Sequence, residues 1–312
     1  MTVSERLQRR GLIIGCGGTL GAAWIVAALV AVRDVLNWDP RDAELLMGTS
    51  AGAELVTMLG GGVSVDELVS MQLGTARHPA LVNHLAAAPG RFPPLPAPAL
   101  GSPSLLRKAN GVTRSAGLLP RGRGNAAWLT KLANRLTDGH NWVPHSATWL
   151  VAADSETGAR VAFGSPPAPH ASISDALRAS WAIPGWFPPV QIGGRRYLDG
   201  GTVSTASVDL ALNQGLEELV VLAPMASTGR IPARGAHIIE RAVLRNAMSA
   251  RLDQEIALAE SQGIRVLRVD ASAADLHVMG PNFMDGRRRL ATFEHALRST
   301  RAALEAKAGV LA

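Results

Sequence analysis

Met47-Gly48-Thr49-Ser50-Ala51-Gly52-Ala53 follows a short apolar run, Glu44-Leu45-Leu46-Met47, and opens a helix-like stretch from Ala51 to Leu59. Gly48, Ser50 and Gly52 make a G-x-S-x-G, the spacing at which a sharp strand-to-helix turn lifts a serine hydroxyl out of a sheet. Small residues are a physical requirement there, because a Cβ at either glycine would collide with the neighbouring strand or helix. The helix that begins at Ala51 points its positive end at the serine, where an oxyanion forms during acyl transfer. Gly-rich strand ends of this kind also occur as plain structure, so the reading turns on the segments around it.

Upstream, Gly11-Leu12-Ile13-Ile14-Gly15 reads as a short buried strand that runs into Cys16-Gly17-Gly18-Thr19-Leu20-Gly21 and an apolar helix from Ala22. A strand, a Gly-rich turn and a helix N-terminus gather free backbone N–H groups that can hold phosphate or an oxyanion. Downstream, Tyr197-Leu198-Asp199-Gly200-Gly201 sets one carboxylate in a Gly-rich turn. Oxyanion cradle, nucleophile and base are the three parts that acyl transfer needs.

The order of a Gly-rich loop (Cys16 to Gly21), G-x-S-x-G (Gly48 to Gly52) and D-G-G (Asp199, Gly200, Gly201) resembles the patatin-like phospholipases. The block Ala179 to Pro189 looks like the one that precedes D-G-G in that family, and Met279 to Asp285 is similar to a bacterial subgroup. The resemblance implies a serine acyl-ester hydrolase of lipid or phospholipid esters, with Ser50 as nucleophile and Asp199 as base of a dyad. The amides of Gly17, Gly18 and Thr19 would then bind the oxyanion. Two positions depart from the family pattern: Cys16 stands at its first glycine and Leu20 at its basic residue. Backbone donors survive both changes, whereas a cation is lost.

Short apolar runs at Leu12 to Gly15, Leu45 to Met47, Thr148 to Ala153, Leu219 to Ala223 and Ile264 to Val269 alternate with helical stretches. That pattern predicts an α/β fold with a mainly parallel central sheet flanked by helices on both faces. Predicted helices include Ala22 to Leu36, Val65 to Gly74, Ala126 to Leu136, Ile173 to Trp181, Ala236 to Ser261 and Gly286 to Ala308, the last capped by Asp285. Val190 to Leu198 alternates around Gly193-Gly194, a hairpin signal that delivers Asp199 at its end. Asp154 and Glu156 read as a hairpin tip, and Trp181 and Trp186 as core residues near the acyl pocket. The 312 residues read as one hydrolytic domain with an insertion over residues 77–125.

Hydrophobic residues at 47%, with 32 Gly and 19 Pro, fit a globular enzyme rich in turns and exclude a disordered or fibrous chain. One cysteine excludes an internal disulfide, and Cys16 reads as a small buried spacer. Gly11 to Val32 carries no charge and is long enough to mimic a membrane span, but its glycines favour strand plus core helix. Only five residues separate Arg10 from Cys16, too few for a signal peptide's apolar region, so the expected location is the cytoplasm.

Charge is segregated. From Leu68 to Thr137 there are nine basic residues and no acid, while the rest of the chain has 22 basic against 25 acidic residues. This stretch includes the Pro-rich run Pro89 to Pro98, expected to be extended and solvent-facing. It reads either as a solvated loop or as a cap drawn to an anionic membrane surface. Nucleic acid fits less well, since no aromatic stacking platform accompanies the charge.

Three rivals stay open. A Ser-Asp-His triad would use His237, His277 or His295, of which His277 is expected in a loop and the others on helices. A dinucleotide module fails on spacing: counted from Gly15, the third glycine position is Leu20, and no Lys-Ser/Thr pair follows for a P-loop. A lipid-binding homologue without turnover is the third. His78, His84, His140, His145 and His170 read as surface or loop residues, none with metal-ligand spacing, and the dyad calls for no metal or cofactor.

Overall fold

A computed structural model describes residues 9–109, 111–228, 231 and 244–311, the side chains of 112 and 308–311 excepted. The strands are β1 (Arg10–Ile14), β2 (Leu45–Thr49), β3 (Thr148–Asp154), β4 (Arg160–Phe163), β5 (Val190–Ile192), β6 (Arg195–Asp199), β7 (Glu218–Ala223) and β8 (Arg265–Asp270). The helices are α1 (Gly18–Leu36), α2 (Ala51–Gly60), α3 (Val65–Leu73), α4 (Leu105–Lys108), α5 (Gly111–Ala116) and α6 (Ala127–Thr137), followed by α7 (Ile173–Ser180), α8 (Asn246–Ser261), α9 (Ala273–Met279) and α10 (Arg289–Leu311). One open sheet runs β5-β6-β3-β2-β1-β7-β8, with β4 also paired to β3. The ladders β3-β2, β2-β1, β1-β7 and β7-β8 are parallel, and the hairpins β3-β4 and β5-β6 and the pair β3-β6 are antiparallel.

The central strands are apolar throughout because both faces are covered. Leu12 and Ile14 of β1, with Val220 and Leu222 of β7, join the core under α1, α2 and α7. Ile13, Val221 and Leu219 join the opposite core, under α8. α1 is long and apolar enough to cross a membrane by length and composition, yet 67% of its most apolar window is buried inside the protein. It packs against α10, α3 and α2, as a core helix does.

The predicted strands and helices agree with the structure to within a few residues, except where residues 232–243, the start of the predicted helix Ala236 to Ser261, lie outside the described residues. The Gly193-Gly194 turn joins β5 to β6, both glycines at positive φ. Asp154 closes the β3-β4 hairpin, accepting from the amides of Glu156 and Thr157 at 2.9 Å each. His277 departs from expectation: it lies on α9, which a Ser272–Asp275 capping box starts.

Register places the two candidate catalytic residues. Ala152 of β3 pairs with Val161 of β4 and with Asp199 of β6, so β4 and β6 occupy opposite edges there. Val151 pairs with Ala162 of β4 and with Thr49 of β2, so β2 shares the edge of β6. The end of β2 and the end of β6 therefore meet at adjacent positions along β3.

Candidate active site

Ser50 stands between β2 and α2 at φ 57° and ψ −119°, a conformation that L-residues adopt at a cost of about 1–3 kcal/mol. The glycines around it permit the turn. A Cβ on Gly48 would lie 2.3 Å from the Gly52 carbonyl oxygen, and one on Gly52 would lie 2.1 Å from that of Ile14. Three hydrogen bonds hold the turn in place. The Ser50 N–H donates to Ser180 Oγ (2.9 Å), whose own hydroxyl donates to the Val151 carbonyl (2.6 Å), and the Glu54 N–H donates to the Ser50 carbonyl (3.1 Å).

The Asp199 carboxylate is buried, with the Ser50 side chain within hydrogen-bonding reach and the Gly201 N–H donating to Oδ1 at 2.7 Å. Burial pushes its pKa from 3.8 up to about 7, against the opposing pull of those two donors. The Asp199 N–H donates to the Ala182 carbonyl at 3.1 Å. The block Ala179 to Pro189 thus anchors both residues, Ser50 through Ser180 and Asp199 through Ala182. Gly200 and Gly201 are required by close packing: a Cβ would come 2.8 Å from the Val151 carbonyl oxygen or 2.9 Å from Cys16 Sγ.

The Gly-rich loop lies across from them. Its amides divide into two sets. Gly15 donates to Leu222 (2.8 Å), Cys16 to Thr205 (2.8 Å), Leu20 to Phe283 (2.9 Å) and Gly21 to Gly17 (2.9 Å), each to a carbonyl oxygen. The amides of Gly17, Gly18 and Thr19 have no acceptor among the described residues. They open α1, so its positive end coincides with them. Gly18 needs its glycine twice over, at φ +57° and with Phe283 Cδ2 2.5 Å from any Cβ. Gly17 and Gly21 leave room for Pro224. Cys16 is buried with its Sγ 3.4 Å from Thr205 Oγ1, and burial and the Asp199 charge push its thiol up to about 12, so it is a spacer without nucleophilic character. Leu20, at the position of the lost cation, is wholly buried in the core.

A cavity of about 300 Å³ opens onto Ser50, Asp199, Gly17 and Gly18. Its walls are mostly apolar, with Ile183, Trp186, Met225, Leu244, Met248 and Phe283 among them. Ser115, Ala116 and Leu119 of the basic segment complete it. Trp186 is therefore a wall of the cavity as well as a core neighbour, whereas Trp181 packs edge-on against Trp128 in the core.

The described histidines fall elsewhere. His277 is exposed on α9 and His295 sits 3.5 Å from Asp275; neither lines the cavity, and His237 lies outside the described residues. His84 corrects the surface reading: it is buried, with Nε2 2.8 Å from Glu54 Oε1 and its ring 5.1 Å from that of Trp128. No cluster of metal-ligating side chains occurs among the described residues. Ser180 and Phe283 had no assigned role in the sequence, although each lies in a segment that carries the family resemblance, Ala179 to Pro189 and Met279 to Asp285.

Among solved structures, the chain is similar to VipD from Legionella pneumophila, at 14% identity over 96% of this chain and 67% of that one, with a TM-score of 0.46. A family profile described as patatin-like phospholipase matches residues 12–212, a single run that takes in the Gly-rich loop, the Ser50 turn, the Ala179 to Pro189 block and Asp199. That run is well over half of the 312 residues, so the chain belongs to the patatin-like phospholipase family.

Proposed function

We propose that this protein hydrolyses acyl esters of lipids through a Ser50–Asp199 dyad. The observation that carries the reading is the pairing of a buried serine, held in a strained turn, with a buried carboxylate of raised pKa, both lining an apolar cavity. Ser50 Oγ attacks the ester carbonyl carbon while Asp199 takes its proton. The negative charge on the former carbonyl oxygen is met by the amides of Gly17, Gly18 and Thr19 at the end of α1. Asp199 then gives the proton to the departing alcohol. In the second half it takes a proton from water, whose oxygen attacks the acyl carbon; the bond to Ser50 Oγ breaks, the fatty acid leaves, and Asp199 returns the proton to Ser50 Oγ. A carboxylate of ordinary acidity would be a weak base toward a serine hydroxyl; one with a pKa of about 7 is far better matched.

The apolar walls suit an acyl chain, and the family membership supports a lipid ester as substrate. Residues 1–312 act as one unit in this reading, with residues 77–125 as a cap over the cavity, and the single buried thiol suits the cytoplasm. A fluorophosphonate probe tests the proposal: it should label Ser50 in the wild type and leave Ser50→Ala unmarked. Labelling that persists in the variant, or a folded protein that neither reacts nor turns over any ester, would remove the dyad and leave a lipid-binding homologue.

A further inference from the structure

Residues 91–124 are tied down at several points around the cavity. The Arg91 carbonyl accepts from Asn282 Nδ2 (2.9 Å), next to Phe283 of the cavity wall. Thr113 Oγ1 donates to the Thr202 carbonyl (2.9 Å), and the Gly124 N–H donates to the Trp186 carbonyl (2.7 Å). Thr202 and Trp186 are also cavity residues. Between these anchors the segment folds on itself: the Gly101 N–H donates to Leu119 (3.0 Å) and the Arg121 N–H to Ala99 (2.7 Å). Leu100 and Leu119 are thereby neighbours, and Leu119 reaches into the cavity.

What this draped segment shows to solvent is unusual. Phe92, Leu95, Leu100, Leu118 and Leu119 are exposed, at 65%, 84%, 44%, 64% and 42%. These five are more than half of the nine large exposed hydrophobic side chains among the described residues, gathered in about a tenth of the chain. Arg91, Arg107, Lys108, Arg114, Arg121 and Arg123 are exposed beside them. None of the six forms a salt bridge among the described residues, Arg91 acting on the Asp285 carboxylate only through space, whereas arginines elsewhere, such as Arg33, Arg160 and Arg268, are paired. A soluble surface scatters its apolar side chains and balances its charge. Apolar insertion ringed by cations is the chemistry of contact with an anionic bilayer.

We infer that residues 91–124 dock this protein on an anionic phospholipid surface with the cavity mouth facing the membrane. The inference rests on the hydrolase reading for its purpose, since a lipid ester would then pass along Leu119 to Ser50 without crossing water. It stands on its own for binding.

The test is co-sedimentation of the full chain with vesicles of phosphatidylcholine alone or with a quarter phosphatidylglycerol, at 0.05 M and 0.5 M salt. Wild-type protein should prefer the anionic vesicles at least tenfold and lose most of that preference at high salt, because the Debye length shrinks below 8 Å. Neutralising Arg107, Lys108, Arg121 and Arg123 together to Gln should weaken anionic binding at least tenfold, and Leu95→Ser with Leu118→Ser should weaken it at either salt. Both variants should hydrolyse a short soluble ester within twofold of wild type, which also shows that they fold. Equal binding to both vesicle types, or unchanged binding in the charge variant, overturns the inference while leaving Ser50-dependent hydrolysis untouched. Vesicle binding with no Ser50-dependent hydrolysis would instead remove the hydrolase reading and keep the surface.

Discussion

Replacing Asp199 with Asn should lower activity by orders of magnitude and at the same time make the fold more stable. The carboxylate is buried, and burial holds its pKa at about 7 where the unfolded chain has 3.8. At low pH both states keep the proton and the group contributes nothing to stability. As pH rises past 3.8 the unfolded chain releases it while the folded chain still binds it, so folding loses stability until pH passes about 7, where the loss levels off. A rise from 3.8 to about 7, at 1.36 kcal/mol for each tenfold in acidity, amounts to about 4 kcal/mol above neutrality. Asn carries no charge to desolvate, and its side-chain oxygen can still accept from the Gly201 N–H, which lies 2.7 Å from Oδ1 in the wild type. Urea unfolding of both proteins from pH 4 to pH 8.5 reads the difference directly. Asp199→Asn should be more stable by about 2–4 kcal/mol at pH 8.5, and the gap should close as pH falls through 7 toward 4. Over the same range kcat of the wild type should fall as Asp199 is protonated near pH 7, and the variant should lose about a hundredfold to ten-thousandfold. A stability gap under about 1 kcal/mol, or one independent of pH, would refute the desolvated base. Such opposition between activity and stability is expected where a site is held in an unfavourable state for function.

Ser180→Ala should leave the Ser50 N–H and the Val151 carbonyl without their partner, at about 1–3 kcal/mol for each buried group left unmade, and lower kcat with little change in KM; an unaltered kcat would make Ser180 a purely structural residue. Gly52→Ala puts a methyl 2.1 Å from the Ile14 carbonyl oxygen and should cost about 3 kcal/mol or more in thermal unfolding, whereas Gly90→Ala, with open space around it, should stay within about 0.5 kcal/mol. Replacing His277 or His295 by Ala should retain most ester hydrolysis, since neither lines the cavity; a loss as deep as that of Asp199→Asn would bring back a triad.

Local pattern carried much of the molecule. Apolar runs of strand length and their flanking helices were legible because burial on both faces leaves an uninterrupted apolar signature, as in Leu12 to Ile14 and Leu219 to Ala223. Turn chemistry was equally direct: Gly193 and Gly194 adopt the positive φ that a tight hairpin demands. The glycines of the Ser50 turn were readable from sterics alone. α9 was missed although its capping box, Ser272 and Asp275, is written in the sequence.

Only tertiary structure decided how these parts meet. The sharing of one β3 edge by β2 and β6, which brings Ser50 to Asp199, depends on pairings between residues about 50 and 100 positions apart that leave no local period. The same holds for the amides of the Gly-rich loop. Which of them stay free follows from where the carbonyls of Leu222, Thr205 and Phe283 arrive, each more than 180 residues away along the chain. His84 looked like a loop residue because its partner, Glu54, sits on a helix 30 residues earlier, and burial of such a pair is a property of packing. A sequence states what each residue can offer, whereas the pKa of Asp199 and the reach of Ser50 depend on which groups exclude water from them, and that is set by contacts across the whole fold.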